Sequence, residues 1–144
     1  MNEVLEKLGR IGLVPVIKLN SPEEALPLGK ALIAGGIPVA EVTFRTDAAA
    51  ESIKILAKEC PELILGAGTV LTTEQADAAA EAGAKYIVTP GFNPRVVAHC
   101  QQLGLPVTPG VSSPSQVEQG LEMGLNVNKF FPAEQSGGVA MLKT

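Results

Sequence analysis

The most constraining feature of this chain is a pattern that recurs six times: a short apolar run, a turn rich in Gly, Pro, Ser or Thr, and a helical segment. The runs begin about 20 to 25 residues apart, which is the length of one strand, one helix and their connections. We predict strands at residues 14–17, 39–44, 63–68, 86–90, 106–111 and 127–132. Such an alternation predicts a parallel sheet covered by helices, here after a short N-terminal helix at residues 2–8.

The boundaries of the helices can also be predicted, because several begin at capping residues and end at glycine. The predicted starts are Ser21-Pro22 with Glu24, Thr46-Asp47, Thr73-Glu74, Asn93-Pro94 and Ser113-Pro114. The predicted ends are Gly35-Gly36, Gly83, Gly104 and Gly124. These signals support the same alternation of strands and helices as the apolar runs.

Two parallel architectures fit this alternation. A doubly wound dinucleotide fold requires G-x-G-x-x-G after its first strand, but the nearest match follows the third strand and has Leu71 as its last residue. In a (β/α)8 barrel, functional polar residues gather at the carboxyl ends of the strands. This chain has polar residues there, namely Thr43, Arg45, Thr69, Thr89, Thr108, Ser112 and Glu134. We therefore predict an α/β fold of the (β/α)8 TIM barrel type.

The length and composition bound this prediction. With 144 residues, of which 46% are hydrophobic, the chain can bury one sizeable core, so we expect a single domain over residues 1–144. The six units are the first six of the eight in such a barrel, and we expect the domain to be truncated after the sixth strand. The first and sixth strands should then have exposed edges, which favour association with another chain.

The composition also limits the partners. A net charge of −4, scattered basic residues and 3% aromatic residues do not favour nucleic-acid binding. The acidic, amphipathic N-terminus does not resemble a signal peptide and no apolar run reaches membrane-spanning length, so we expect a cytoplasmic protein without a membrane partner. Cys60 and Cys100 should be buried free thiols. His99 has no second histidine beside it, so we expect a surface or core-rim residue and no metal site.

Lys129 is a lone cation in the apolar run of the sixth predicted strand. Because side chains alternate along a strand, Lys129 shares a face with Val127 and Phe131. It either defends an exposed sheet edge, as lysines often do, or lies in an apolar interior as a nucleophilic amine.

The second predicted strand carries two further charges on one face, Glu41 and Arg45, together with Thr43. If the opposite, apolar face packs on the helices, these three side chains point into the barrel. An internal ion pair or an exposed edge strand would also explain the pattern. A lysine, a glutamate and an arginine in one interior would suit an α-keto acid, with an amine for its carbonyl and a guanidinium for its carboxylate.

Five segments of the chain together resemble the KDPG aldolase family, which comprises class I 2-keto-3-deoxy-6-phosphogluconate and 4-hydroxy-2-oxoglutarate aldolases. The segments are residues 41–46 (EVTFRT), 66–70 (GAGTV), 89–91 (TPG), 109–112 (PGVS) and 129–134 (KFFPAE). The resemblance implies a (β/α)8 barrel, usually a homotrimer, that cleaves a 2-keto-4-hydroxy acid to pyruvate and an aldehyde without metal or organic cofactor. It also implies a place in the Entner–Doudoroff pathway.

The resemblance assigns roles to single residues. Lys129 is similar to the family's Schiff-base lysine and Glu41 to its general acid/base. Arg45 and Thr69 resemble the groups that hold the pyruvate carboxylate and the carbinol, and Pro90 and Phe131 resemble the apolar walls of the substrate site. The aldehyde would be glyceraldehyde 3-phosphate or glyoxylate.

Two other functions stay open from the sequence. Another phosphate-binding barrel, such as an isomerase, would use paired acids and would not need a lysine in the sixth strand. A truncated barrel that lacks activity would act only in assembly. The family strands that hold the substrate phosphate lie beyond the sixth.

Overall fold

The computed structural model describes residues 2–144 and contains six strands and seven α-helices within that range. The strands are β1 (Val16–Ile17), β2 (Val39–Thr43), β3 (Ile64–Gly68), β4 (Tyr86–Thr89), β5 (Val107–Val111) and β6 (Lys129–Phe130). The helices are α1 (Glu3–Ile11), α2 (Ala25–Ala34), α3 (Ala49–Glu59), α4 (Thr73–Ala82), α5 (Pro94–Gln102), α6 (Pro114–Glu122) and α7 (Gly138–Leu142). A 3₁₀ turn at Pro22–Glu24 precedes α2.

The strands form one parallel sheet in which the spatial order is the chain order, β1-β2-β3-β4-β5-β6. A doubly wound sheet reverses its direction of growth partway along, whereas a barrel adds each strand beside the previous one. The structure therefore shows six consecutive βα units of a partial TIM-type barrel.

Two separate clusters of buried side chains lie on the two faces of this sheet. The larger cluster joins the outward side chains of the strands to the helices, for example Val42 and Ile87 to Ile53 and Val97. The smaller cluster is formed by Val39, Tyr86 and Val88, against which the apolar side chains of α1 pack. Helix α1 therefore covers the interior face of the sheet, while the other face carries the connecting helices.

The predicted helix starts are mostly confirmed. The Asn93 side chain accepts a hydrogen bond from the Arg95 backbone N–H (3.1 Å), and α5 begins at Pro94 as predicted. The Glu24 carboxylate accepts from the backbone N–H of Ser21 (3.3 Å). Helix α4 is capped one residue earlier than predicted, by Thr72.

The predicted cap at Thr46-Asp47 is wrong. Helix α3 begins at Ala49, and its N-cap residue, Ala48, makes no side-chain capping bond. The Thr46 hydroxyl instead donates to the backbone carbonyl of Leu19 (2.5 Å). Thr46 therefore ties the end of β2 to the segment after β1, a contact between residues far apart in the chain that local capping rules do not reveal.

The prediction for the two cysteines is confirmed. Cys60 and Cys100 are free and buried, and burial raises the pKa of Cys100 to about 11. None of the described helices combines the length and the apolar character needed to cross a membrane.

Candidate active site

Lys129 and Glu41 meet in the interior of the partial barrel. The Lys129 Nζ atom lies 3.8 Å from Glu41 Oε1, with the lysine side chain 29% exposed and the glutamate side chain 5% exposed. Both line a cavity of about 420 Å³ whose other walls are mainly apolar, including Val14, Val88 and Val127. The two charged groups are therefore paired beside a space that a small molecule can enter.

Lys129 faces the interior, which is one of the two alternatives that the sequence left open. Its Cα is paired with that of Gly110 on β5, and Val127 lines the same cavity. The Nζ atom lies 5.0 Å from the centroid of the Phe131 ring, which is a favourable distance for a cation and an aromatic face. The exposed-edge alternative does not fit, because the amine faces the interior and has a buried partner.

The surroundings of Glu41 favour its protonated form. Burial raises the pKa of its carboxyl above the ordinary value, and the positive charges of Lys129 and Arg45 oppose this only in part. A raised pKa makes this carboxylate a better proton acceptor than an ordinary glutamate, a shift in the direction that suits a general acid/base.

Arg45 differs from its predicted position. Strand β2 ends at Thr43, so the alternation used to predict an inward Arg45 does not extend to it. The side chain is exposed at the carboxyl end of β2 and lines a surface cavity of about 350 Å³ with Asp47 and Gln75. Arg45 therefore lines a cavity separate from the interior one, although its positive charge lowers the pKa of Glu41 and so opposes part of the effect of burial.

Thr69 has an unusual backbone conformation. It follows the last residue of β3 and has φ of 56°, the only positive φ of a non-glycine residue among residues 2–144. This left-handed conformation is unfavourable for a β-branched side chain and costs roughly 1 to 3 kcal/mol. Backbone strain of this kind is often found at functional sites, where the surrounding structure stabilises the strained conformation.

Pro90 and Phe131 lie at the ends of β4 and β6. Phe131 contacts the amine of Lys129, whereas Pro90 lines a separate cavity of about 300 Å³ beside Val70 and Phe92. The Pro90 carbonyl packs directly against the backbone of Gly110, where a Cβ atom would overlap it. The structure thus brings Lys129, Glu41 and Phe131 together, while Arg45, Thr69 and Pro90 occupy the same edge of the sheet in adjoining positions.

Gly68 and Tyr86 are two neighbours of Glu41 that the sequence did not identify as functional. A Cβ atom on Gly68 would overlap the Glu41 carboxyl group, and the negative charge of Glu41 contributes to a raised pKa of Tyr86, after the larger effect of burial. The sequence feature that could have indicated this contact is the pair of glycines at alternate positions of β3, Gly66 and Gly68. Glycine inside a strand often marks a place where another group approaches the backbone closely.

The described residues include no cluster of three or more His, Cys, Asp or Glu side chains that could bind a metal ion. His99 instead pairs with Asp77 on the outer surface, at 2.7 Å between Nε2 and Oδ1. What the interior offers is an amine, a carboxyl group with a raised pKa and apolar walls. The fold and the interior together define a class of protein: a partial parallel βα barrel whose interior lysine would suit a carbonyl compound that forms an imine.

The comparison with known proteins makes this class specific. The family model for KDPG and KHG aldolase matches residues 4–144. A 2-dehydro-3-deoxy-phosphogluconate aldolase of Treponema pallidum is 54% identical over 142 residues, which are 99% of this chain and 68% of the relative. A KHG/KDPG aldolase of Escherichia coli is 44% identical over 131 residues, which are 91% of this chain and 62% of the relative. The chain therefore belongs to the KDPG and KHG aldolase family.

Solved structures agree with this result. The 2-keto-3-deoxy-6-phosphogluconate aldolase of Zymomonas mobilis has a TM-score of 0.92 and 40% identity, covering 99% of this chain and 68% of that one. The KDPG aldolase of Legionella pneumophila, solved with pyruvate as a covalent carbinolamine intermediate, has a TM-score of 0.87 and 44% identity, covering 90% of this chain and 63% of that one. The chain spans about two thirds of the length of the relatives it matches.

Proposed function

We propose that this chain carries the pyruvate-forming half of a class I aldolase site, for 2-keto-3-deoxy-6-phosphogluconate, 4-hydroxy-2-oxoglutarate or both. The observation that carries this proposal is the 3.8 Å pair of Lys129 and Glu41 inside a partly apolar cavity, in a chain of the KDPG and KHG aldolase family. A nucleophilic amine and a proton-transfer group beside each other are what Schiff-base cleavage needs.

In the proposed reaction, the neutral amine of Lys129 attacks the C2 carbonyl of the keto acid to give a carbinolamine. The carbinolamine takes up a proton and loses water to form a protonated imine, and this proton is released again when the imine is hydrolysed at the end of the reaction. Glu41 takes the proton of the C4 hydroxyl, and the C3–C4 bond breaks as the aldehyde leaves. The electron pair of that bond moves into the imine, which becomes an enamine. Glu41 then returns a proton to C3, and water releases pyruvate and the free lysine.

The remaining site residues are proposed to hold the substrate. Arg45 would bind the carboxylate of the keto acid, because a guanidinium can donate two parallel hydrogen bonds to it. Thr69 would bind the carbinol hydroxyl, and its strained backbone at the end of β3 supports a functional position. Pro90 and Phe131 would form apolar walls, a role supported for Phe131 by its contact with the amine.

We further propose that residues 1–144 are one domain, corresponding to the first six units of a (β/α)8 barrel in a cytoplasmic homotrimer of the Entner–Doudoroff pathway. The sheet order supports the barrel, and the exposed apolar side chains of Leu121, Val139 and Leu142 support burial against further protein. Sedimentation equilibrium of the purified protein tests the assembly: a monomer at every concentration would contradict the trimer.

Covalent trapping tests the chemistry. Incubation with pyruvate and sodium borohydride should reduce the imine and leave a stable pyruvyl-derived group on the peptide that contains Lys129, as mass spectrometry would show. Lys129→Ala should abolish the labelling. The matched control is Lys54→Ala, which removes an exposed lysine on α3 and should label as the wild type does.

Two outcomes would contradict the proposal. One is the absence of labelling in the folded wild-type protein, and the other is labelling that persists at a different lysine in Lys129→Ala.

A further inference from the structure

The interior face of β3 carries two glycines, Gly66 and Gly68, where most barrel strands carry branched side chains. Neither has a positive φ, so an ordinary residue could adopt the same backbone at both positions. What the two glycines supply is therefore space, because each lacks a Cβ atom.

The space above Gly68 is filled by Glu41 from the neighbouring strand. A Cβ atom on Gly68 would overlap Oε1 of Glu41 and would lie 2.7 Å from its Cδ and 2.8 Å from its Cγ. The whole end of the glutamate side chain thus rests on the backbone of β3, and one added methyl group would have to displace it.

The space above Gly66 is filled by Tyr86 from the strand on the other side. The ring would overlap a Cβ atom on Gly66, and the hydroxyl donates to the backbone carbonyl of Ala40 (3.3 Å). The Cα of Gly66 pairs with that of Glu41 on one side and of Tyr86 on the other. The buried Tyr86 ring therefore fills the interior next to the backbone of Glu41. The Glu41 carboxyl group occupies the remaining space, above Gly68.

We propose that Gly68 is a positioning residue, whose missing side chain holds the Glu41 carboxyl within reach of the carbon atoms attached to Lys129. The role of Glu41 in proton transfer rests on the function proposed above. Its position is inferred independently, from the contacts among β2, β3 and β4. A glutamate has three rotatable side-chain bonds, so a defined cavity is what restricts it to one place. A displacement of about 1 Å in a reacting group can cost on the order of 10²-fold in rate.

Exchange of the pyruvate methyl protons isolates this step. In deuterated buffer, the imine on Lys129 loses a C3 proton to Glu41. The carboxyl group exchanges this proton for a deuteron of the solvent, and the enamine then takes up the deuteron at C3. The exchange needs no aldehyde and no phosphate group, and proton NMR follows it directly. We expect Gly68→Ala to slow it by roughly 10- to 100-fold while borohydride trapping of pyruvate on Lys129 persists, because Lys129 is not displaced.

Two variants separate positioning from loss of stability. Gly29→Ala is the matched control, because its added methyl group would meet Leu56, Cys60 and Leu63 in the outer core, far from the site. It should destabilise the protein without slowing exchange in the folded fraction.

Glu41→Asp in the Gly68→Ala background shortens the acid by one methylene, which makes room for the new methyl group. The double variant should exchange faster than Gly68→Ala alone.

Titration of the Glu41 carboxyl by ¹³C NMR tests the placement without any activity. Burial raises the pKa of Glu41 in the wild type, so a carboxyl group driven out of its space in Gly68→Ala should show a lower pKa. Gly29→Ala should leave the titration unchanged.

The outcomes distinguish the two proposals. A wild-type protein that neither traps pyruvate nor exchanges its methyl protons contradicts the aldolase function, while the titration still decides whether Gly68 places Glu41. Wild-type exchange in Gly68→Ala, an unchanged Glu41 titration, or equal losses of trapping and exchange in Gly68→Ala and Gly29→Ala would each overturn the positioning role.

Discussion

Lys129 Nζ and Glu41 Oε1 lie 3.8 Å apart although their strands, β6 and β2, are separated by three others in the sheet. In a flat sheet, four steps of about 4.8 Å would place these strands roughly 19 Å apart. The two side chains can meet only because the sheet curves around its interior. The pair is thus a product of barrel curvature, and its chemistry depends on that curvature being maintained.

Glu41→Gln should lower turnover by roughly 10²- to 10⁴-fold, because glutamine has nearly the same shape but cannot transfer a proton. Trapping of pyruvate on Lys129 should persist at least in part, since the amine is retained. The measurement is pyruvate release from the keto acid beside borohydride labelling of the same sample. Near-normal turnover would mean that another group moves the proton.

Glu41→Gln should also change how stability depends on pH. Because burial raises the pKa of Glu41 above its unfolded value, the native state binds more protons between these two pKa values. The wild-type free energy of unfolding therefore decreases as pH rises through this window. Above the folded pKa, the full free-energy cost of burying an ionised Glu41 is present. Glutamine does not titrate, so the stability of Glu41→Gln relative to wild type should increase with pH and then level off.

Urea unfolding of both proteins between about pH 4 and pH 8 measures this difference. Glu51→Gln, at an exposed position on α3, serves as the control and should show no such rise. The quantity compared is the free energy of unfolding of Glu41→Gln minus that of the wild type. If this difference stays constant or decreases with pH, burial does not raise the pKa of Glu41.

The sequence predicted the sheet better than it predicted the mouth of the site. The ends of the four inner strands were predicted to within one residue, because each strand combines an apolar run with a recognisable turn. Strands β1 and β6 are shorter than predicted, with two residues each, because each has a neighbour on one side only. Alternation within its own run placed Lys129 on one face with Val127 and Phe131, but it left open whether that face is an exposed edge or the interior.

Positions beyond the strand ends could not be predicted in this way. Arg45 lies two residues after β2, where side chains no longer alternate, and Thr46 bonds to a carbonyl far away in the sequence. The contact of Gly68 with Glu41 joins two strands, so no local pattern of residues describes it. Its only trace in the sequence is a strand with two glycines on one face.

Arg45→Ala should weaken pyruvate binding by about tenfold or more, because a hydrogen-bonded charge contributes roughly 1.5 to 3 kcal/mol and part of this is screened at an exposed position. Arg45→Lys should restore only part of the loss, since lysine cannot make the two-pronged contact with a carboxylate. The pyruvate concentration that half-saturates borohydride trapping measures the effect. Arg95→Ala, an exposed arginine on α5, is the control, and wild-type saturation of Arg45→Ala would place the carboxylate elsewhere.

Thr69→Gly should separate stability from function at one residue. Glycine adopts a φ of 56° without strain, which relieves roughly 1 to 3 kcal/mol, while its greater freedom in the unfolded chain costs about 0.5 to 1 kcal/mol. The variant should therefore unfold at an equal or higher urea concentration. It should nevertheless trap pyruvate less readily, because the hydroxyl proposed to hold the carbinol is gone. Thr69→Ser keeps that hydroxyl and should trap nearly as the wild type does. If Thr69→Gly were as effective in trapping as Thr69→Ser, the strained threonine would have no role in binding, and its backbone conformation would need another cause.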